Sequence, residues 1–459
     1  MKVNVIQHPA SFRDPSGSVF FYEGQLYRRI NISYKEDYEA LIATGLYERL
    51  LQEKLLLPHQ EVQLLTHDDP GLFKIIQPEF LPFISYPYEW CFSQLKDAAL
   101  ATINIQKIAL EYGCILKDAS AYNIQFKDGK PILIDTLSFK KYVDGEPWTG
   151  YRQFCQHFFS PLALISHTDI RLSQLLRIFL DGPPLDLTRK LLPRKTMFRL
   201  PLLLHIHFHA IFQKRYSRTF SEKKYGIRKA GLKALMQSLA SAVNHLKWKP
   251  QGTEWADYDR EMNYQDGAFA HKKALVSEFI KNIKPRMVWD LGANTGIFSR
   301  IAATKKAPVI SLDADPGAIE MNYLWCKANG EGHILPLVID ITNPSPAIGW
   351  LNTERSSLLE RGPADLVIAL ALIHHLAISN NLPLSKIADF FSTICRRWLI
   401  IEYVPGSDSW AKRLVGTRRD SFSDYTQDNF ESAFAPFFAI RSRKAIKGSE
   451  RSIYFLEKE

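Results

Sequence analysis

The second part of the chain repeats one pattern, in which short apolar runs typical of strands alternate with segments typical of helices. The predicted strands cover residues 287–291, 308–312, 334–339, 365–370 and 398–403. Two more predicted strands, 437–441 and 452–456, follow with no helix between them. Because parallel strands need a crossover, usually a helix, this order predicts a parallel α/β sheet that ends in an antiparallel hairpin.

Acidic residues end three successive strands of this predicted sheet. Asp290 lies at the end of the first strand and is followed by a glycine turn from Gly292 to Gly296. Asp313, 21 residues after Gly292, ends the second strand, and Asp340 follows the third. Glycines allow a backbone to pass close to a ligand, and an acid after the second strand binds ribose hydroxyls in dinucleotide-type folds. The carboxyl ends of parallel strands share one edge, so we expect one pocket there.

Residues 262–459 resemble the Rossmann-fold (class I) S-adenosylmethionine-dependent methyltransferases in the order and spacing of these motifs and in the final hairpin. The resemblance implies that Asp290 and the 292–296 turn hold the methionine half of the cofactor. It implies that Asp313 binds the ribose diol and that Asp340 lies beside the adenine. Asn294 stands where the family often has a glycine. The alternative is a nucleotide-type sheet that binds no ligand.

A histidine pair, His374 and His375, follows the fourth predicted strand, where the resemblance places the donor methyl group. A hydroxyl acceptor needs a base whose pKa lies near neutrality, and histidine is the usual one. Adjacent residues on a helical turn point about 100° apart, so we expect only one of the two to be catalytic and the other to pack or cap the helix. Glu402 and Tyr403, at the end of the fifth strand, are further candidates on the acceptor side.

The amino-terminal part carries a second constellation. Asp118 is followed by Asn123 and, after a short strand, by Asp135. This block resembles the catalytic loop and metal site of kinase-like phosphotransferases, which implies ATP and magnesium as further ligands. Four features depart from that family: no histidine precedes the first acid, the two residues after the last acid are not the usual ones, no glycine-rich loop is visible, and Arg28 and Arg29 stand where a lysine is expected. Arginine does not replace that lysine neutrally. An inactive kinase-like fold therefore stays open beside an active one.

Positive charge is concentrated in residues 181–250. This segment has 15 Lys and Arg against 3 Asp and Glu, so its net charge is 15 − 3 = +12, whereas the whole chain has 58 − 48 = +10. Such a segment attracts an anionic ligand, a membrane surface or nucleic acid, and the alternative is a set of solvated helices. Its most apolar stretch contains His205 and His209, whose spacing is a weak indication of a metal site without a carboxylate partner.

The sequence predicts three domains: a kinase-like α+β domain at 1–180, a basic helical segment and linker at 181–250, and a methyltransferase domain with a seven-stranded sheet at 251–459. Five isolated cysteines argue against a disulfide framework or a cysteine-ligated zinc. The start of the chain lacks the apolar core of a signal peptide, and no apolar run approaches the ~18 residues of a membrane span. We expect a cytoplasmic protein.

The domain combination resembles the methyltransferase-type nodulation proteins of rhizobia and their relatives. It implies a bacterial enzyme that methylates a hydroxyl on a glycan, a glycolipid or another small metabolite. Two alternatives stay open: a bifunctional kinase–methyltransferase, and a scaffold with two degenerate nucleotide folds.

Overall fold

The chain folds into two compact units. The computed structural model describes residues 5–64, 69–211, 226–250, 266–408, 412 and 424–459. The first unit runs to Trp248 and also includes Ile348–Arg355, and the second consists of Lys249–Ala347 and Ser356–Glu459. Apart from its last two residues, the basic segment 181–250 belongs to the first unit rather than standing alone.

The first unit begins with a five-stranded antiparallel sheet in the order β1-β2-β3-β5-β4. Two separate pairs follow, β6 with β9 and β7 with β8. The strands are β1 (Val5–Gln7), β2 (Gly17–Tyr22), β3 (Gln25–Asn31), β4 (His59–Val62), β5 (Leu72–Pro78), β6 (Cys114–Leu116), β7 (Ile124–Lys127), β8 (Lys130–Leu133) and β9 (Phe139–Lys141). The predicted turns at 23–24 and 128–129 close two of these hairpins, and all four turn residues have the positive φ that a type I′ turn requires.

The described helices of the first unit follow and alternate with these strands, and Tyr38 of the first helix belongs to a buried cluster with Ile30, Tyr34 and Leu137. The helices are Lys35–Ala43, Leu46–Gln52, Phe92–Glu111, Tyr151–Phe154, Ser160–His167, Leu175–Ile178, Leu185–Leu191, Leu200–Leu202 and Lys229–His245, with π-helical turns at Cys155–Phe159 and Leu203–Phe208. The sequence pattern favours one helix over 38–56, which is wrong. Gly45, at φ 78°, takes a left-handed conformation that interrupts it. In the described part of the chain, none of the helices is both long and apolar enough to cross a membrane.

Buried histidines hold the helical part of this unit together. The Tyr151 hydroxyl lies 2.8 Å from Nδ1 of His205, and the Ser238 hydroxyl lies 3.0 Å from its Nε2. The ring of His209 stacks on that of Tyr151. Burial lowers the pKa of His205 to about 4, so its ring is neutral near pH 7. Both ring nitrogens of His205 are occupied by hydroxyl groups, and the described residues contain no cluster of three or more metal-ligating side chains.

The second unit contains a seven-stranded sheet in the order β12-β11-β10-β13-β14-β16-β15. Strands β10 to β14 are parallel, and β16 runs antiparallel between β14 and β15. The strands are β10 (Val288–Leu291), β11 (Val309–Asp313), β12 (Ile334–Val338), β13 (Ala364–Ala369), β14 (Cys395–Tyr403), β15 (Phe438–Ala445) and β16 (Ser452–Lys458). The predicted sheet and its closing hairpin are confirmed.

Helices cover the two faces of this sheet, as the crossovers between parallel strands require. They are Asp266–Lys281, Ile297–Ala303, Pro316–Asn329, Leu384–Ile394 and Gln427–Phe434, with a π-helical turn at His375–Ser379. Val288, Leu366 and Ile400 belong to one buried apolar cluster with side chains of the first of these helices. Three neighbouring strands therefore share a core, which fixes the edge at which their carboxyl ends meet.

The glycine turn after β10 is fixed by packing as well as by conformation. Gly296 has φ 81°, and a Cβ atom there would lie 2.3 Å from Oδ1 of Asn322. The Asn322 amide donates in turn to the Ser311 hydroxyl, whose oxygen lies 2.9 Å from the Ser299 hydroxyl oxygen. Because Asn322 is held by this buried network, its side chain has little freedom to move away from a Cβ atom at position 296.

We therefore expect Gly296→Ala to lower the free energy of unfolding of the second unit by about 2–5 kcal/mol, from left-handed strain together with overpacking. The matched control is Gly330→Ala, because Gly330 has φ 69° and nothing within 4 Å of an added Cβ. The control should lose only the strain contribution of about 1–2 kcal/mol. Denaturant unfolding measures both, and equal losses in the two variants would contradict the packing argument.

Candidate active site

A cavity of about 490 Å³ opens at the carboxyl ends of the parallel strands in the second unit. That volume is in the range of small-molecule sites. Its walls come from the ends of β10, β11, β12 and β13 and from the helix that precedes β10. The predicted site residues that line it are Asp290, Gly292, Asn294, Asp313, Asp340 and His375. The structure therefore brings the three strand-end acids and one histidine to a single cavity.

The glycine turn presents backbone to this cavity. Gly292 has φ 70°, and an added Cβ would lie 3.3 Å from Cδ1 of Leu372, which lines the cavity as well. Asn294 has φ 49°, a left-handed conformation that asparagine tolerates better than most residues. The backbone N–H of Asn294 donates to Oδ2 of Asp313 over 2.8 Å. This conformation explains why asparagine can replace the usual glycine. Gly296 does not line the cavity, and its role is to shape the turn.

Two of the acids are buried enough to hold protons near neutral pH. Burial raises the pKa of Asp290 to about 6, against the effect of the Ser299 hydroxyl, which donates to its Oδ2 over 2.6 Å. Burial also raises the pKa of Asp313 to about 6, although the backbone N–H groups of Asp315 and Asn294 donate to it. Asp340 is exposed and accepts from the backbone and the hydroxyl of Thr342.

The histidine pair divides between the cavity and the core. His375 lines the cavity, whereas the side chain of His374 is only 2% exposed and does not. The ring centroids are 4.2 Å apart. Burial, with a contribution from Arg451, lowers the pKa of His375 to about 4, so its imidazole is neutral at pH 7. Burial also lowers the pKa of His374, well below its usual value.

Glu402 lies behind the cavity wall rather than on it. Its side chain is fully buried, and Lys272 Nζ lies 2.5 Å from its Oε2. The same oxygen accepts the backbone N–H of Ala371 over 2.8 Å. Ala371 has φ 52°, an uncommon conformation for a residue with a side chain, and it lines the cavity beside the histidine turn. Glu402 thus fixes the turn that carries His375. Tyr403 is also buried and stacks on Tyr425.

Lys272 is a cavity residue that sequence reasoning missed. It lines the cavity although only 3% of the residue is exposed, and its Nζ lies 5.1 Å from the ring centroid of Phe298. Burial lowers its pKa. A signal was present: Lys272 falls at helical spacing on the same face as Ala268, Leu275, Val276 and Phe279, the apolar face of its helix.

In the first unit, the three residues of the second constellation lie in one polar cluster. Asp135 accepts from the Ser138 hydroxyl over 2.6 Å, and the Asn123 amide donates to that same hydroxyl. Burial and the charge of Asp135 both raise the pKa of Asp118. Nη1 of Arg28 lies 2.6 Å from Oδ1 of Asp135. The acid predicted to hold a metal ion is therefore paired with an arginine, and the kinase-like fold stays a prediction.

No family model matches the chain. It is 34% identical over 459 residues to the nodulation protein NoeA of Rhizobium meliloti (strain 1021), and the match covers 98% of this chain and 95% of that protein. The chain belongs to the NoeA family of nodulation proteins. As predicted from its sequence, it resembles nodulation proteins along almost its whole length.

Solved structures resemble parts of the chain. N-methyltransferase NodS from Bradyrhizobium japonicum WM9, in complex with S-adenosylhomocysteine, is 12% identical with a TM-score of 0.33, over 44% of this chain and 97% of that one. The bifunctional kinase–methyltransferase WbdD is 15% identical with a TM-score of 0.31, over 47% of this chain and 44% of that one. These likenesses are too weak to carry an argument about this chain.

Strand order and site geometry identify the activity class. An antiparallel strand inserted between the last two positions of a parallel sheet separates the methyltransferase sheet from the NAD-binding folds, and β16 occupies that position. The strand-end acids and the glycine turn lie around one cavity at its carboxyl edge. This member of the NoeA family is an S-adenosylmethionine-dependent methyltransferase, as the sequence predicts.

Removal of the Glu402 carboxylate should destabilise the second unit strongly, because it leaves the buried charge of Lys272 without its partner. We expect Glu402→Ala to cost about 3–5 kcal/mol in the free energy of unfolding. The control is Glu457→Ala, which breaks ion pairs with the exposed Arg397 and Arg441 and should cost about 1 kcal/mol or less. Denaturant unfolding measures both costs. A Glu402 variant as stable as the control would show that this pair does not hold the turn.

Proposed function

We propose that the protein transfers a methyl group from S-adenosylmethionine to a hydroxyl on a glycan, a glycolipid or another small metabolite. The observation that carries the proposal is the position of His375 on the wall of the cavity that the three acids also line. Its imidazole is neutral at pH 7 and can accept a proton, although its pKa of about 4 makes it a weaker base than the near-neutral one expected from the sequence. An amine acceptor can react without a base once it is unprotonated, whereas a hydroxyl must lose its proton as the new bond forms. The relative NoeA is named as a nodulation protein.

The cavity fits the cofactor in size, backbone and charge. Its volume is about 490 Å³, and its glycine turn leaves space where a side chain would meet Leu372. When bound, S-adenosylmethionine supplies an already activated methyl group, so positioning does most of the work. We assign the 292–294 backbone and Asp290 to its methionine half, Asp313 to its ribose hydroxyls and Asp340 to the vicinity of its adenine.

His375 is the base in this proposal, and Glu402 is a positioning residue rather than a catalytic one. Glu402 is fully buried and contacts the cavity wall only through the Ala371 N–H. His375 follows four residues later, on the same turn. His374 packs behind the wall, which agrees with the expectation that only one histidine of an adjacent pair faces the cleft.

For the first unit we propose a role in holding the acceptor rather than phosphoryl transfer. The Arg28–Asp135 contact of 2.6 Å supports this, because a magnesium ion at that carboxylate would face a fixed positive charge. The residues present do not fit a metal–ATP site of the usual kind. Magnesium-dependent ATP binding that is lost in Asp135→Ala would instead support the bifunctional alternative.

We expect His375→Gln to lower turnover by about 10²- to 10⁴-fold, because it removes the proton acceptor and leaves the cofactor side of the cavity in place. Its affinity for S-adenosylhomocysteine should stay within a few-fold of normal. Turnover is measured as transfer of labelled methyl groups from S-adenosylmethionine into an extract of a strain that lacks the gene. The matched variant, His374→Gln, should keep its turnover and lose stability only.

Two outcomes would contradict this assignment. Near-normal turnover in both histidine variants would mean that positioning alone drives transfer or that the substrate supplies the base. Loss of S-adenosylhomocysteine binding in both would mean that this turn shapes the cofactor pocket.

Affinity for S-adenosylhomocysteine should fall as the pH falls through 6. Asp313 has a pKa of about 6, and it must be ionised to accept hydrogen bonds from both hydroxyls of a ribose diol. We expect binding about tenfold weaker at pH 5 than at pH 7, measured by isothermal titration calorimetry. Asp313→Asn should bind weakly and lose most of this slope, whereas the exposed Asp389→Asn should keep it. An unchanged slope in Asp313→Asn would remove Asp313 from the cofactor site.

A further inference from the structure

An apolar patch with a basic surround lies on the helical part of the first unit. The side chain of Phe198 is 92% exposed and that of Leu200 is 65% exposed. Met197, Leu204, Phe208 and Ile211 are also exposed, each by more than 40%. Single exposed apolar side chains are ordinary on a protein surface, but six within 15 consecutive residues are not. We call these six residues the apolar patch.

Three of the patch residues lie on one side of the helical segment that begins at Leu200. Leu200, Leu204 and Phe208 are four residues apart, and residues at this spacing share a helix face. The residues between them, Leu202 and Ile206, are buried. The inner and the outer face of this segment thus both carry large apolar side chains.

Buried polar contacts fix which face points outward. His205 lies between the hydroxyls of Tyr151 and Ser238, as described above. The hydroxyl of Thr196 lies 3.0 Å from Nε2 of His207, and both side chains are buried. A rotation of the segment that hid the apolar patch would break these contacts and expose the histidines. The outward position of the patch is therefore maintained by the fold.

The charge around the patch is predominantly positive. Residues 185–211 contain five Lys and Arg and one Asp, a net charge of 5 − 1 = +4. The basic residues are all exposed, and they are Arg189, Lys190, Arg194, Lys195 and Arg199. Large apolar side chains beside clustered basic ones are the composition of segments that lie in the interface of an anionic bilayer.

We propose that this face of the first unit binds the surface of an anionic lipid bilayer, with the apolar patch in the headgroup region and the basic residues on lipid phosphates. The segment lies on the bilayer and does not span it. A protein partner would fit the apolar patch alone, whereas the predominantly positive surround is complementary to a negatively charged lipid surface. The proposal goes beyond the methyltransferase activity and does not depend on which acceptor is methylated.

The test is flotation of the full-length protein with vesicles. We expect binding to vesicles of equal parts phosphatidylglycerol and phosphatidylcholine, little binding to phosphatidylcholine alone, and weaker binding as salt is raised. Phe198→Ser combined with Leu204→Ser should abolish flotation. Phe80→Ser is the matched control, because Phe80 is an exposed aromatic residue of the same unit outside the patch. Lys195→Glu with Arg199→Glu should weaken binding by about fivefold or more for each residue, and Lys130→Glu should not.

The patch lies in the first unit and the cofactor cavity in the second, so an unchanged circular dichroism spectrum and an unchanged thermal unfolding profile are the evidence that each variant is folded. Flotation that is absent, equal on both kinds of vesicle, or unchanged in the patch variants would overturn the proposal. A second copy of the chain is the competing occupant: light scattering that shows a dimer in the intact protein and a monomer after Phe198→Ser would assign the patch to self-association. Because S-adenosylhomocysteine binding and turnover are measured apart from flotation, failure here leaves the proposed function unaffected.

Discussion

The second unit depends on a buried ion pair. Lys272 on one helix and Glu402 at the end of β14 are both buried, and Arg451, between β15 and β16, lies 3.6 Å from the same glutamate. Arg451 also makes a two-pronged contact with Asp408. Buried charges are tolerated only when they are paired and hydrogen-bonded. The pairing ties the helix before the sheet, the fifth parallel strand and the closing hairpin to the turn at Ala371.

This arrangement explains why the cavity has its shape before a ligand binds. The left-handed Ala371 is held by a carboxylate that cannot move without separating buried charges. A second buried network joins Asp290, Ser299, Ser311 and Asn322 and holds the glycine turn on the opposite side. Two polar networks thus fix the two turns that meet at the cavity. Preorganisation of this kind lowers the cost of binding and of reaching a reactive geometry.

The sequence predicted the sheet well because each signal was local. Apolar runs marked the parallel strands, and the absence of a helix marked the final hairpin. The acids were found because charged groups at the ends of buried strands need a reason to be there. The break at Gly45 was missed because the apolar periodicity continued through it, and only its positive φ reveals the turn.

Long-range pairing was what sequence reasoning could not supply. Lys272 and Glu402 are 130 residues apart, and no local sequence pattern indicates that they form an ion pair. Glu402 looked like a cavity residue because the strand end is usually exposed to ligand, yet its partner turns it inward. In the same way Arg28 lies in β3, whereas Asp135, its partner, lies in the loop after β8. The patterns located the charged residues, and only tertiary structure showed which were free to act and which neutralise each other.

Because Asp290 and Asp313 have pKa values of about 6, ligand binding is coupled to the release of protons into the solvent. At a pH near 6 each carboxyl is about half protonated in the free protein. A ligand that needs the Asp313 carboxyl in the charged form must displace that hydrogen into the medium. The heat released on binding therefore contains the heat with which the buffer takes it up. Titrations in buffers of different ionisation enthalpy would give different apparent heats for one and the same affinity, and the difference counts the protons released.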